Sequence, residues 1–232
     1  MKPSPEDRAL IASQYTTEAP LEARRAAYAD VDGPDAKEVA FAAIAECAPR
    51  RVLEVGGGPG ELSERIAAEL GAEVVMVDSS PRMVELARAR GVDARAGDAQ
   101  ELPFADGAFD CAIAAWMLYH VEDLDRALSE LRRVLEPGGR LVAVTNGRQH
   151  MEELRRLAGE WAWQQRFRRE EAAELLARHF SRVERRDVDA WTTVDPDGVQ
   201  HWVESLGGGP RPRLVEEAVR ARISCAILVC EP

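Results

Sequence analysis

Apolar residues recur along the chain with two different periods, and the switches between them outline a series of elements. Residues 51–55 (RVLEV) and 73–78 (EVVMVD) are short β-rich runs, and residues 110–118 (DCAIAAWML) are apolar almost throughout, as in a strand covered on both faces. Between the first two, Leu62, Ile66 and Leu70 share one face of a helix over 61–70, which Gly71 stops. Ser80 and Pro81 supply an N-cap and a first-turn proline for a helix over 83–90, closed by Gly91. A strand over 92–96, a helix over 124–135 ending at Pro137-Gly138-Gly139, and a strand over 140–145 complete the alternation. Strands and helices alternating with short turns predict an α/β fold, a doubly wound parallel sheet with helices on both faces.

Past Asn146 the pattern changes. It predicts helices over 151–165 and 169–179, a strand over 183–194, a helix over 199–206, the loop GGGPRPR, a helix to about Arg222 and a last strand over 223–230. Four of the five tryptophans (Trp161, Trp163, Trp191 and Trp202) fall in this part, where they pack it onto the sheet or wall a substrate pocket. No repeat or low-complexity linker divides the chain, and 232 residues with 46% hydrophobic content fit one domain.

Composition narrows the partners. The net charge of −11, without a Lys/Arg block, argues against nucleic acid and anionic membrane surfaces and for a small molecule. The start, MKPSPEDRAL, lacks an apolar signal core and every apolar run is too short for a bilayer, so a cytoplasmic protein is expected. Cys47, Cys111, Cys225 and Cys230 show no C-x-x-C spacing and three sit in apolar runs, the pattern of a reduced interior. No acidic metal cluster is evident, so no metal is expected. Both a monomer and a homodimer paired through the strand at 225–230 fit the sequence.

The chemistry concentrates in VLEVGGGPGELSERIA, residues 52–67. A glycine turn between a strand and a helix lets backbone approach a ligand, with free N–H groups at the helix start. The dinucleotide pattern G-x-G-x-x-G is not met: Gly56, Gly58 and Gly60 alternate, and Glu61 stands where the third glycine belongs. Glu54 would repel a pyrophosphate but suit an ammonium, and Asp78, ending the second strand, lies at the distance of a ribose-binding acid. A ligand with a ribose and a cationic amino-acid tail is favoured.

LEVGGGPGELS, VVMVDSSPRMVELAR, AGDAQELPFADGAFDCAIAAWMLYHV and LEPGGRLVAV, in this order, resemble the successive motifs of the class I (Rossmann-like, seven-stranded) methyltransferases that use S-adenosylmethionine, in their small-molecule branch. The resemblance covers about residues 51–145. It implies a seven-stranded sheet of order 3-2-1-4-5-7-6 with the last strand antiparallel and a small helical cap. It divides the single domain into an N-terminal helical lid (1–45), a cofactor-binding core (46–146), a substrate cap with the sixth strand (147–210), and a final helix and strand (211–232).

The resemblance also implies site roles. Gly56, Gly58 and Gly60 would turn under the methionine part of S-adenosylmethionine, with Glu54 opening the motif. Asp78 would take both ribose hydroxyls, with Ser79 beside it and Met83 against the adenine. Asp98 would accept from the adenine amino group, Ala99 would offer backbone, and Ala115 and Trp116 would lie along the sulfonium end. The product would be S-adenosylhomocysteine. Residues 15–25 would form either a lid helix, with Tyr15 or an arginine reaching the cofactor, or a solvated helix packed on the edge of the sheet, and Tyr15, Tyr119, Trp161 and Trp191 are candidate substrate contacts.

A sulfonium methyl is already activated, so an in-line transfer to an O, N or C nucleophile of a small organic molecule, of the kind found among specialised metabolites, chiefly needs alignment and desolvation. If a proton must leave, His120, after the fourth strand, is the catalytic candidate, ahead of His150 and His201; His179 reads as packing. Two other classes share much of this pattern. A non-catalytic scaffold would keep the cofactor site without turnover. An NAD-dependent oxidoreductase would want the third glycine, and its short-chain form a Tyr-x-x-x-Lys pair, whereas lysine occurs only at positions 2 and 37.

Overall fold

The computed structural model describes residues 17, 19–159, 167–206 and 215–232. Its centre is an eight-stranded sheet built from β1 (Val31–Asp32), β2 (Arg51–Val55), β3 (Glu73–Asp78), β4 (Asp93–Ala96), β5 (Phe109–Ala115), β6 (Leu135–Asn146), β7 (Arg182–Val194) and β8 (Val219–Glu231), in the order β1-β7-β8-β6-β5-β2-β3-β4. Strands β4, β3, β2, β5 and β6 are mutually parallel, β8 runs antiparallel to β6 and β7. Within this sheet the seven expected strands keep their expected order. The count of seven is corrected to eight by β1, two residues that pair with Thr192 and Trp191 at the outer edge of β7.

The helices are α1 (Ala19–Ala26), α2 (Ala36–Glu46), α3 (Glu61–Leu70), α4 (Pro81–Ala89), α5 (Leu124–Arg133), α6 (Glu152–Leu157), α7 (Arg169–Leu176) and α8 (Pro196–Glu204). Strand alternation sorts the core. Val52 joins Phe41 and Ile44 of α2 and Ile66 of α3 on one face, while Leu53 and Val55 join Leu128 and Leu131 of α5 and Leu176 of α7 on the other. Local chemistry sets the helix ends. The Ser80 hydroxyl accepts from Met83 N with Pro81 in the first turn, and the Asp123 carboxylate accepts from Arg126 N at 3.1 Å, caps worth about 1 kcal/mol each. Gly71 ends α3 in the left-handed region, φ +68°.

Three expected elements are corrected. Strand β5 stops at Ala115, not residue 118, because Trp116 turns the chain with φ +53° into a 3-10 turn over Leu118–His120. The first helix after Asn146 is short: α6 closes at Leu157, before Gly159 at φ +70°, and residues 160–166 lie outside the described part. The helix expected up to Arg222 gives way to β8, which begins at Val219 because each residue from Val219 to Glu231 pairs with β7. This long hairpin matters for the site. Since Cys225 pairs with Asn146, residues 219–224 run past the carboxyl end of β6 and, with β7, raise a wall beside it.

Candidate cofactor and acceptor site

The carboxyl ends of the parallel strands gather around the glycine turn between β2 and α3. Gly56, Gly58 and Gly60 all have positive φ (+71°, +59° and +82°), but for different reasons. A Cβ on Gly56 would lie 2.6 Å from Met117 Cβ, and one on Gly60 would lie 2.8 Å from Ala87 Cβ and 3.0 Å from its Cα, so these two allow close packing. A Cβ on Gly58 would meet nothing within 4 Å. The turn therefore presents open space at Gly58 alone, the cradle a ligand would occupy.

The Gly58 N–H donates to Asp78 Oδ2 at 2.9 Å and Ser80 N–H donates to Oδ1 at 2.8 Å. These bonds tie the turn to the end of β3 and leave each carboxylate oxygen a lone pair for a diol. Burial raises the Asp78 pKa, partly offset by its backbone donors. Glu54 lies on the Val52 face of β2, buried beneath α3, and its Oε2 accepts from the Ser63 hydroxyl. Burial, opposed by that bond and reinforced by Asp78, pushes its pKa up to about 7. Among the described residues neither acid forms an ion pair, so the turn holds two uncompensated carboxyl groups. A diol-bearing cation fits this arrangement and a pyrophosphate does not.

The remaining expected residues lie around this centre. Ser79 is exposed beside Asp78, and Met83 is fully buried in the first turn of α4. Asp98 is exposed with its carboxylate accepting from the Gln100 backbone and side chain (2.8 and 3.0 Å), and Ala99 next to it is buried. Ala115 and Trp116 are half-buried at the end of β5, where Trp116 N donates to Val144 O at 2.9 Å. Tyr119 stacks at a tilt on His120, centroids 4.6 Å apart. Burial, with Arg24 nearby, pushes the His120 pKa down to about 3, a poor match for a base near neutral pH. Trp191 sits on the β7–β8 hairpin with the Arg220 and Arg222 guanidinium groups 5.1 and 5.2 Å from its ring. Tyr15, Trp161 and Trp163 lie outside the described residues.

Helix α1 bridges the two sides of the site. Arg25 pairs with Glu61 at the start of α3 (2.5 Å), and Arg24 donates to Ser205 O after α8 (3.4 Å). Two site residues escaped the sequence reading. Asn146 ends β6 and accepts the Trp116 indole N–H at 3.0 Å; Tyr28 hydrogen-bonds His150 Nε2 at 2.8 Å. Asn146 carried a usable signal, a polar residue closing an apolar strand as Asp78 does, whereas Tyr28 carried none. Among the described residues no helix is long and apolar enough to cross a membrane, and no three His, Cys, Asp or Glu side chains group as metal ligands.

Residues 53–143 match the family model described as a methyltransferase domain. The chain is 44% identical over 106 residues to the demethylmenaquinone methyltransferase of Thermus thermophilus, covering 43% of this chain and 48% of that protein. It is 40% identical over 114 residues to the ubiquinone/menaquinone biosynthesis C-methyltransferase UbiE of Cellvibrio japonicus, covering 45% and 46%. The match thus spans about half the length of these curated relatives. The fold is similar to that of the YcgJ protein of Bacillus subtilis, with a TM-score of 0.62 at 18% identity over 84% of this chain and 98% of that one. The open turn at Gly58, Glu54 and Asp78 thus all lie within residues 53–143, the stretch that matches the methyltransferase-domain model.

Proposed function

We infer that the chain transfers a methyl group from S-adenosylmethionine to a small organic acceptor and releases S-adenosylhomocysteine. The observation that carries this reading is the open cradle at Gly58, hydrogen-bonded to Asp78. When bound, the cofactor supplies a methyl group activated by its sulfonium. The chain's own residues would then bind and align. Gly58 receives the methionine part over the field of Glu54, with Gly56 and Gly60 packing the turn tightly behind it; Asp78, with Ser79, takes the ribose; Asp98 and Ala99 border the adenine, with Met83 buried in the core behind them; Ala115 and Trp116 flank the reacting end. Helix α1, held by Arg25–Glu61, serves as the lid that excludes water. His120, neutral at physiological pH, positions rather than deprotonates, and Tyr119 and Trp191 are acceptor contacts.

The acceptor class draws support from the names of the relatives, which methylate demethylmenaquinone or act in quinone biosynthesis, so a hydroquinone ring is the first acceptor to test. Isothermal titration with S-adenosylmethionine, S-adenosylhomocysteine and NAD, using Asp78→Ala as control, tests the cofactor. Micromolar binding of the two adenosyl ligands that the variant loses is expected; binding of NAD alone would overturn the reading. Mass-spectrometric detection of a 14-Da gain on reduced 1,4-naphthoquinone then tests turnover. Cofactor binding with no methylation across a panel of O, N and C acceptors would leave a scaffold.

A further inference from the structure

A cavity of about 430 Å3 opens at the amino ends of β2, β5 and β6, at the opposite end of the sheet from the glycine turn. Cys47, which caps the end of α2, lies in its wall together with Glu46, Arg140 and Arg186. Arg140 is held by Glu231 at 3.2 Å and Arg186 by Glu46 at 2.6 Å. Cys111 is fully buried in β5, in the core cluster against which Cys47 packs. The two thiols are hydrogen-bonded in series: Cys111 donates to the Cys47 sulfur, and Cys47 Sγ donates to Ala43 O at 3.2 Å. The bond from Cys111, aided by Arg140 and Arg186, draws the Cys47 pKa down against burial and Glu46. That same bond, with burial, pushes Cys111 up, and burial pushes Cys225 and Cys230 up to about 12. Of the four cysteines, Cys47 alone combines access to water with a favoured thiolate, the two properties that make a cysteine reactive.

We propose that Cys47 and Cys111 form a site of reversible oxidation by hydrogen peroxide, with Cys47 as the attacking thiol and Cys111 as the thiol that resolves it into a disulfide. This site is separate from methyl transfer and stands without it. The Cys47 thiolate attacks one peroxide oxygen. An S–O bond forms, the O–O bond breaks, and the other oxygen takes a proton and leaves as water. Cys47 is thereby oxidised by two electrons to a sulfenic acid and the peroxide is reduced. Cys111 then gives up its proton and its sulfur attacks that of Cys47, so that an S–S bond forms, the S–O bond breaks and a second water leaves. Cys111 is fixed in a central strand, whereas Cys47 ends a helix at the cavity, so the approach to bonding distance falls to Cys47. The bridge would tie α2 to β5 and close the stretch of chain that carries Gly58, Asp78 and Asp98.

The test exposes the full, reduced chain to a few equivalents of hydrogen peroxide at neutral pH. Remaining thiols are then blocked with N-ethylmaleimide in denaturant, and the peptides are mapped by mass spectrometry. The wild type should lose about 2 Da and yield one disulfide, joining the Cys47 and Cys111 peptides, with Cys225 and Cys230 blocked as free thiols. Dithiothreitol should restore all four thiols. Cys111→Ser removes the resolving thiol, so Cys47 should halt as the sulfenic acid and be captured by dimedone. Cys47→Ser should slow oxidation of Cys111 at least about 10-fold, because no accessible thiolate then leads to it. Cys111→Ala serves in place of the serine variant should that one fail to fold, as judged by circular dichroism. A disulfide joining any other pair, Cys47 oxidised to the sulfinic acid while Cys111 stays reduced, oxidation of Cys111 in Cys47→Ser at the wild-type rate, or four unreacted thiols would each overturn the proposal. None of these outcomes bears on the cofactor site, so the methyltransferase reading stands or falls by its own titration.

Discussion

Glu54 is a carboxyl whose charge the fold resists. It is 3% exposed, Ser63 donates to it through its hydroxyl and its backbone, and Asp78 adds a like charge nearby. Burial therefore moves its pKa from 4.5 to about 7. A carboxyl that titrates higher in the folded state than in the unfolded state holds its proton preferentially when folded. Its stabilising contribution is full below pH 4.5 and is lost as the pH rises through 7. At about 1.4 kcal/mol for each tenfold change in acidity, the ionised group costs about 3 kcal/mol above pH 7. Glu54→Gln keeps the volume and an acceptor for Ser63 but cannot ionise. Urea unfolding of both proteins should give similar stabilities near pH 4.5 and an advantage to the variant of about 3 kcal/mol at pH 8, other carboxylates cancelling in the difference. The same group should couple to the ligand. A bound ammonium favours the ionised form, so S-adenosylhomocysteine binding to the wild type at pH 6 should release a proton, seen by calorimetry in buffers of different ionisation heat, and the variant should bind more weakly with no release. Identical pH dependence of stability in the two proteins would refute the buried-charge argument.

The glycines separate stability from binding. Gly60→Ala puts a methyl group against the Ala87 backbone at φ +82°, and together the left-handed backbone and the overlap should cost about 3 kcal/mol, visible as a fall in Tm of about 8 °C by calorimetry. Gly58→Ala meets no neighbour, so it should cost only about 1 kcal/mol, yet its methyl group fills the cradle and should weaken S-adenosylhomocysteine binding at least about 10-fold. At helix α1, Glu61→Arg replaces the pairs with Arg25 and Arg90 by repulsion between partly exposed side chains; hydrogen exchange in residues 19–26 should speed up while Tm moves by less than about 2 °C.

The parts of the fold that were legible in the sequence depend on neighbours within one or two turns of chain. Ser80 with Pro81, Gly71 after an apolar face, and three alternating glycines after RVLEV each specify their geometry locally, and the order of the seven main strands followed from the motifs they carry. The stretch from Val215 to Arg222 shows where local reading stops. VEEAVRAR has helical spacing at Val215 and Val219, but Val219, Ala221, Ile223 and Cys225 also alternate, and the choice is made by pairing with Val194 and its neighbours, some 25 residues or more away. Tyr28 is the extreme case, since its partner His150 lies 122 positions along the chain.

Glu54 could have been placed more sharply. A strand turns successive side chains to opposite faces, so residue 54 must share a face with Val52, and α3, which begins six residues after Val55 and packs Ile66 against Val52, must cover that face. The acid is thereby sealed beneath the helix, with Ser63 as its partner, rather than standing above the turn to touch an ammonium directly. Its influence on a bound cation must pass through a short, poorly screened stretch of protein, where a single charge acts more strongly than it would in water. Burying the acid raises its pKa to the edge of the physiological range, so the charge it offers a ligand is itself drawn out by that ligand. Cofactor affinity and the proton occupancy of Glu54 then become two readings of one equilibrium, which is why a substitution that strengthens the empty protein should weaken its grip on the cofactor.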